Sequence, residues 1–447
     1  MASTVFLGFL SLLFVKTLSD ETASITLPLH QFPVSPSPSQ WRQTLAGIAS
    51  FSLSRARHLK SPRIAPVPLY PHSYGGYSVS LDFGTPPQRT SLLIDTGSHL
   101  VWIPCTRNYF CRNCSFLGNN HITPFIPKSS SSSKIIGCKN PKCGWIHSPE
   151  FLSGCRSCSS GNCTQICPPY FVLYGSGSTG GILLSETLRL PEKGITNFAI
   201  GCSLVSSRQP AGIAGLGRGS PSLPAQLGVK RFSYCLVSHR LDDDPRAASS
   251  LVLDGEHKNL SYTPLVKNPA TGKPSFSVFY YVALRKVSVG GKSVKIPYER
   301  LRLGPDGNGG TIVDSGTTFT YMAGDVFDLV AREFETQVAG TYRRATDVES
   351  DTGLRPCFQL PAEKKSQVGL PELTFHFKGG AKMRLPLANY FSFLGDSVIC
   401  LTIVSDGVEG SLQSDGPSVI LGNFQQQNYL IEYDLEKERF GFREQRC

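Results

Sequence analysis

Leu93-Ile94-Asp95-Thr96-Gly97-Ser98 in the first half of the chain returns in the second as Ile312-Val313-Asp314-Ser315-Gly316-Thr317. After each copy, at a similar interval, comes an apolar pair closed by glycine: Ile213-Ala214-Gly215 and Ile420-Leu421-Gly422. Two spaced elements recurring in the same order point to two lobes of like construction. The length agrees, since 447 residues exceed what one hydrophobic core ordinarily serves.

Around the repeat the patterning is that of strands. Tyr77, Val79, Leu81 and Phe83 alternate with Ser78, Ser80 and Asp82, a half-buried strand. Gly84-Thr85-Pro86-Pro87 then turns the chain into an apolar rise, Ser91 to Ile94, that ends on Asp95. In the second half, Phe279 to Val289 and Ser293 to Ile296 flank Gly290-Gly291, which predicts a strand, a turn and a strand. Thr311-Ile312-Val313 leads into Asp314, and a helix is expected beyond it, where Val326, Leu329, Val330, Phe334 and Val338 share a face. The 43 glycines, 32 prolines, 3 methionines and only 17% charged residues describe a turn-rich folded chain, more β than helical, and not a disordered one.

Each copy of the repeat sets a carboxylate at the end of a buried strand, then a small hydroxyl residue, then glycine. Lacking a Cβ, Gly97 and Gly316 let the backbone turn sharply and approach its twin. The hydroxyls of Ser98 and Thr317 can orient the adjacent carboxylates, and Thr96 and Ser315 can tie the two loops across the lobe boundary. With the loops in contact, Asp95 and Asp314 become close neighbours, and two such charges at roughly 3 Å hold one shared proton. The ionised member then takes a proton from a water between them, and the water attacks a peptide carbonyl. The neutral member donates to the carbonyl oxygen as it gains charge. No metal, organic cofactor or covalent intermediate is called for. One Asp-Thr-Gly alone is ordinary turn chemistry; the duplication makes catalysis the better reading.

The N-terminus is of another kind. Val5 to Val15 is apolar but too short to span a bilayer, and small and polar residues follow to Ser24, the pattern of a signal peptide cleaved between Ser19 and Ser24. A proline- and serine-rich piece, Phe32 to Ser39, precedes Trp41 to Lys60, where Leu45, Ile48, Ala49, Leu53, Ala56 and Leu59 recur at helical spacing until Ser61-Pro62. Arg42, Arg55, Arg57, His58, Lys60 and Arg63 make this stretch basic. It reads as a propeptide whose basic helix lies in an acidic cleft and keeps a precursor inactive until acid protonates the carboxylates. The expected divisions are a signal peptide at 1–23, a propeptide at 24–70, an N-terminal lobe at 71–245 and a C-terminal lobe at 246–447. The junction falls in the polar stretch His239 to Ser250, around Asp242-Asp243-Asp244-Pro245.

Fourteen cysteines fit an exported chain. Cys105, Cys111, Cys114, Cys138, Cys143, Cys155, Cys158, Cys163 and Cys167 form a cluster. Behind a signal peptide, disulfides are a better reading of Cys111-x-x-Cys114 and Cys155-x-x-Cys158 than zinc. Glycosylation sequons at Asn113, Asn162 and Asn259 agree. The formal charge of +11 comes with no basic, aromatic-studded stripe, so nucleic acid is not an expected partner. Beyond the leader no stretch is apolar and long enough to cross a membrane. The expectation is a monomer without stable membrane association, secreted to the extracellular space (apoplast or cell wall if from a plant), with polypeptide as its partner.

Over roughly Tyr74 to Cys447 the chain resembles the pepsin-like aspartic proteases, and among them the plant nepenthesin-like branch. The resemblance rests on Asp95-Thr-Gly-Ser98, Val101-Trp102, Tyr174-Gly-Ser-Gly-Ser178, Ala214-Gly-Leu-Gly217, Phe232-Ser-Tyr-Cys-Leu236, Asp314-Ser-Gly-Thr-Thr-Phe319 and Ile420-Leu-Gly-Asn423. It implies a mainly β, bilobal fold, with two related β-barrel-like lobes, a central active-site cleft and a hairpin flap over it. It implies further that Asp95 and Asp314 are catalytic, that Tyr174 and Gly175 belong to the flap, and that the Trp102 indole bonds the Tyr174 hydroxyl. From the same resemblance come the disulfides Cys357–Cys400 and Cys235–Cys447, which leave ten cysteines to the N-terminal lobe with their connectivity open. The absence of a long saposin-like insertion points to the extracellular route. The implied activity is endopeptidase cleavage of extended polypeptides in acid; the alternative is a catalytically weak or inactive binding or inhibitor protein on the same scaffold.

Overall fold

The computed structural model describes residues 24–31, 41–60, 75–114, 123–152, 155, 165–175, 177–191, 193–209, 211–238, 248–270, 274–361, 368–395, 397–407 and 416–447. The expected signal peptide, the Phe32 to Ser39 piece, the acidic run at Asp242, Cys158, Cys163 and the sequon at Asn162 lie outside them.

Six antiparallel strands form a floor that spans the molecule, in the order Ile25–Gln31, Ala248–Leu253, Arg231–Cys235, Tyr429–Asp434, Arg439–Glu444 and Ser261–Val266. Its centre is aromatic: Phe232 stacks on Tyr433 with ring centroids 4.6 Å apart. The outermost strand was not anticipated in the sequence, although Ile25, Leu27 and Leu29 alternate and are all buried.

The N-terminal half adds Tyr77–Phe83 antiparallel to Gln88–Asp95, as the period of two predicts. The apolar pair with its glycine, in Gly212–Gly215, lies parallel beside Gln88–Asp95. The second half repeats the device, with Val419–Leu421 parallel beside Thr311–Val313. Parallel strands covered on both faces need unbroken apolar sequence, which is why both elements read as apolar runs rather than alternations. Each aspartate-bearing loop is thus gripped from the side by a strand that the repeat announces. The helix Gly324–Val338 buries Val326, Val330, Phe334 and Val338, with Leu329 partly buried against the same core.

One expected strand is two. Phe279 to Val289 breaks at Ala283 into Tyr280–Val282, which pairs with Thr311–Val313, and Leu284–Val289, which joins a separate four-stranded sheet beside Leu373–Phe377. The apolar positions do not show such a break, because Tyr280–Val282 and then Leu284, Val287 and Val289 are all buried, each half in its own sheet. Gly290 and Gly291 make the expected turn with φ of 56° and 80°.

Among the described residues, six disulfides join Cys105–Cys202, Cys111–Cys114, Cys138–Cys155, Cys143–Cys167, Cys235–Cys447 and Cys357–Cys400. Cys235–Cys447 ties the C-terminus to the floor strand Arg231–Cys235, and Cys357–Cys400 joins paired positions of neighbouring strands. Asn113 and Asn259 are exposed.

Candidate active site

Asp95 and Asp314 come to the end of their strands at the middle of the molecule and are both buried. Ser98 Oγ donates to Asp95 Oδ2 over 2.7 Å, and Thr317 Oγ1 to Asp314 Oδ2 over 2.6 Å. The amides of Gly97 and Gly316 donate to the Oδ1 atoms of Asp95 and Asp314, each at 2.9 Å. The loops are cross-tied below the carboxylates. Thr96 N donates to Ser315 Oγ over 3.1 Å and Ser315 N to Thr96 Oγ1 over 2.9 Å, while the two hydroxyls donate to the carbonyls of Ile94 and Val313. This is a two-fold arrangement built from residues far apart in the chain. It explains the glycines: a Cβ on Gly97 would stand 2.6 Å from Asp314 Oδ1, and one on Gly316 would meet Asp95 Oδ1.

Above the pair, Tyr170–Leu173 and Ser178–Arg189 form a hairpin that carries Tyr174. Trp102 Nε1 donates to the Tyr174 hydroxyl over 2.9 Å, and both side chains are buried. Burial raises the Tyr174 phenol well above its ordinary value and keeps it neutral.

The helix Trp41–Lys60 lies across this site. Leu45, Ile48, Ala49, Ala56 and Leu59 are buried against Phe276, Phe279, Phe319, Phe424 and Val404, with Leu53 packed at the margin. Arg55, at the edge of the same face, reaches between the carboxylates: Nη2 donates to Asp95 Oδ1 over 2.6 Å and Nε to Asp314 Oδ2 over 3.2 Å. Ser54 Oγ donates to the Gly175 carbonyl of the hairpin, and Ser52 Oγ accepts from Phe319 N over 2.9 Å.

Models for the "Xylanase inhibitor N-terminal" and "Xylanase inhibitor C-terminal" families match residues 77–253 and 279–444. A "Probable aspartyl protease" of Arabidopsis thaliana is 35% identical, over 83% of this chain and 82% of its own length. The aspartic proteinase nepenthesin-2 of Nepenthes gracilis is 33% identical, over 83% of this chain and 78% of its own. This chain belongs to the plant pepsin-like aspartic protease family. Among solved structures, edgp superposes with a TM-score of 0.65 at 18% identity, over 94% of both chains, which shows the pepsin-like fold.

Within this family member the electrostatics of the pair are unequal. Burial pushes Asp95 up to about 6; the pull of Arg55 opposes that and the neighbouring Asp314 adds to it. Burial pushes Asp314 up as well, but Arg55, the Thr317 hydroxyl and the Gly316 amide together outweigh it and hold the group below its ordinary value. For Arg55, burial disfavours the charge and the two carboxylates more than restore it. His58, on the next turn, is lowered to about 4, first by burial and then by Arg55.

All six supporting residues of the two loops gather at the carboxylate pair, while Trp102 bonds Tyr174 and Gly175 lies against Ser54 and Arg55 of the helix. Sequence reasoning expected a basic helix in the cleft but did not single out Arg55. The signal was there. Arg55 stands seven positions after Ile48 and four before Leu59, so a charge occupies the apolar stripe itself. A charge so placed needs a buried partner.

The cysteine-rich insert brings Cys143, His147 and Cys167 together. The two cysteines are bonded to one another and His147 Nε2 meets the Pro168 carbonyl at 2.9 Å, so the trio is not a free donor set.

Proposed function

We propose that this chain is an aspartic endopeptidase of acid compartments, made as a precursor that Arg55 keeps silent. One observation carries the reading. Both carboxylates keep every hydrogen bond that orients them, and a prosegment cation occupies the position a water must take between them. With Arg55 gone, Asp95 and Asp314 are left as a buried pair that shares a proton, one member accepting from water and the other donating to the carbonyl oxygen. The titration belongs to the pair. A peptide lying extended under Tyr174 is the natural substrate geometry.

Docking of the helix rests on more than charge. Burying Leu45, Ile48 and Leu59 is worth roughly 2 kcal/mol apiece. Acid therefore loosens the helix, and cleavage of the chain makes its departure permanent. Secretion fits the six disulfides, which form and persist in oxidising compartments.

A binding protein without catalysis is the second reading, and the match to xylanase-inhibitor family models favours it. The intact pair, loops and flap tyrosine weigh against it. The deciding experiment exposes purified full-length chain to a pH series with denatured protein as substrate. Cleavage that appears in acid and is absent from Asp95→Asn supports the endopeptidase; no cleavage at any pH supports the binder.

A further inference from the structure

Five positions beyond Arg55 the same helix ends in Lys60, and this lysine is buried as well, at 6% exposure. Its Nζ donates to the Tyr321 hydroxyl over 2.6 Å, lies 3.3 Å from Asp406 Oδ2 and stands 4.7 Å from the centre of the Tyr321 ring. We propose that the Tyr321–Asp406 pocket is a substrate subsite that takes a lysine or arginine side chain two or three residues from the scissile bond. This rests on the endopeptidase reading and adds a substrate class to it.

Three features make this a built site rather than a chance contact. The pocket does not need Lys60 to hold its shape, because the Tyr321 hydroxyl donates to Asp406 Oδ2 over 2.7 Å on its own account. Tyr321 is fixed to the catalytic machinery. It lies in Thr320–Met322, seven residues after Asp314, and pairs with Ile420 and Val404. The pocket also joins a carboxylate to an aromatic face, the combination that receives a desolvated cation.

The surroundings of the cation are mixed in charge. Burial lowers the Lys60 pKa, Asp406 raises it, and Arg300 and Arg57 lower it. Arg57 belongs to the helix and leaves with it. Arg300 stays, paired to Asp325 at 2.5 Å. Asp406 is then left facing a pocket that a basic side chain filled in the precursor.

Spacing gives the position. Five helical residues advance about 7.5 Å, which an extended peptide covers in two or three residues at about 3.3 Å each. With Arg55 marking the carboxylate pair, Lys60 marks a place that far along the cleft. A prosegment lysine there acts as a stand-in for a substrate side chain.

The test has two arms. In the first, acid-treated full-length protein and Asp406→Asn digest a peptide library at pH 5, and the cleavage sites are read by mass spectrometry. Lysine and arginine should be favoured about tenfold over norleucine at one position two or three residues from the cut, the size expected of one charge-assisted contact. In Asp406→Asn the preference should fall below about twofold while cleavage of neutral peptides continues. Equal profiles in the two proteins, or no basic preference in either, overturn the proposal. The second arm needs no catalysis. Amide hydrogen exchange of the helix Trp41–Lys60 is followed against pH in the full chain and in Lys60→Met, Asp406→Asn and the double variant. If the pocket reads the cation, either single change loosens the helix and the double change adds little; additive effects overturn it. Failure to cleave any denatured protein would overturn the endopeptidase reading and the substrate subsite with it, while the exchange arm would separately show whether the pocket binds the Lys60 cation.

Discussion

Arg55 and Asp95 meet through a 2.6 Å contact from Nη2 to Oδ1, both buried, with the guanidinium reaching on to Asp314. On the proposed reading, a substrate has to displace that contact before either carboxylate can reach water. The helix would then inhibit by occupying the reacting position as well as by covering it, and proton uptake would release it.

Arg55→Leu keeps most of the helix packing and removes the guanidinium that lies between the carboxylates. Breaking a buried pair from one side costs about 3–5 kcal/mol, enough to weaken docking by about two to three and a half orders of magnitude. The full-length variant should cleave a quenched fluorescent peptide at pH 6, and the unaltered chain should not. Equal silence in both would show that the apolar face alone closes the cleft.

His58 sets part of the acid window. Docked it is held to about 4 by burial and Arg55; released it returns to an ordinary value near 6.5. The released form binds the extra proton, so docking weakens as pH falls from about 6.5 to about 4. The carboxylates act in the same sense, since Arg55 lowers both relative to an open cleft and its hold fades as they take up protons. In His58→Gln the helix should release at a pH lower by about half a unit or more. Hydrogen exchange of the helix against pH measures this, and an unchanged midpoint would remove His58 from the switch.

Gly97→Ala places a methyl where Asp314 Oδ1 stands at 2.6 Å. The carboxylate has to move, and a displacement of about 1 Å costs on the order of a hundredfold in rate. Activity after acid treatment should fall at least that far while thermal unfolding shifts by only a few degrees. Retained activity would mean that the loops do not touch as described.

Tyr174→Phe removes the acceptor of the Trp102 indole and leaves a buried N–H unpaired, a cost of about 1–3 kcal/mol. The flap should close less often, so kcat/KM should drop about tenfold or more with the pH profile unchanged. A shifted pH profile instead would place Tyr174 in proton transfer.

The sequence by itself determined which two carboxylates are paired. Its signal is a duplication, and Asp95 and Asp314 sit in motifs whose local demands (a strand end, an orienting hydroxyl, a glycine) leave marks at fixed short spacing. It also determined that a helix of mixed character lies between Trp41 and Lys60, because periodicity is a local property. Only the tertiary structure decided which way that helix turns. Arg55 and Lys60 acquire roles because one helix face meets the aspartates and Tyr321, residues distant in sequence. The same holds for the break at Ala283 and for Cys105–Cys202, since apolar runs and cysteine counts record burial and bonding capacity but not which distant segment supplies the partner.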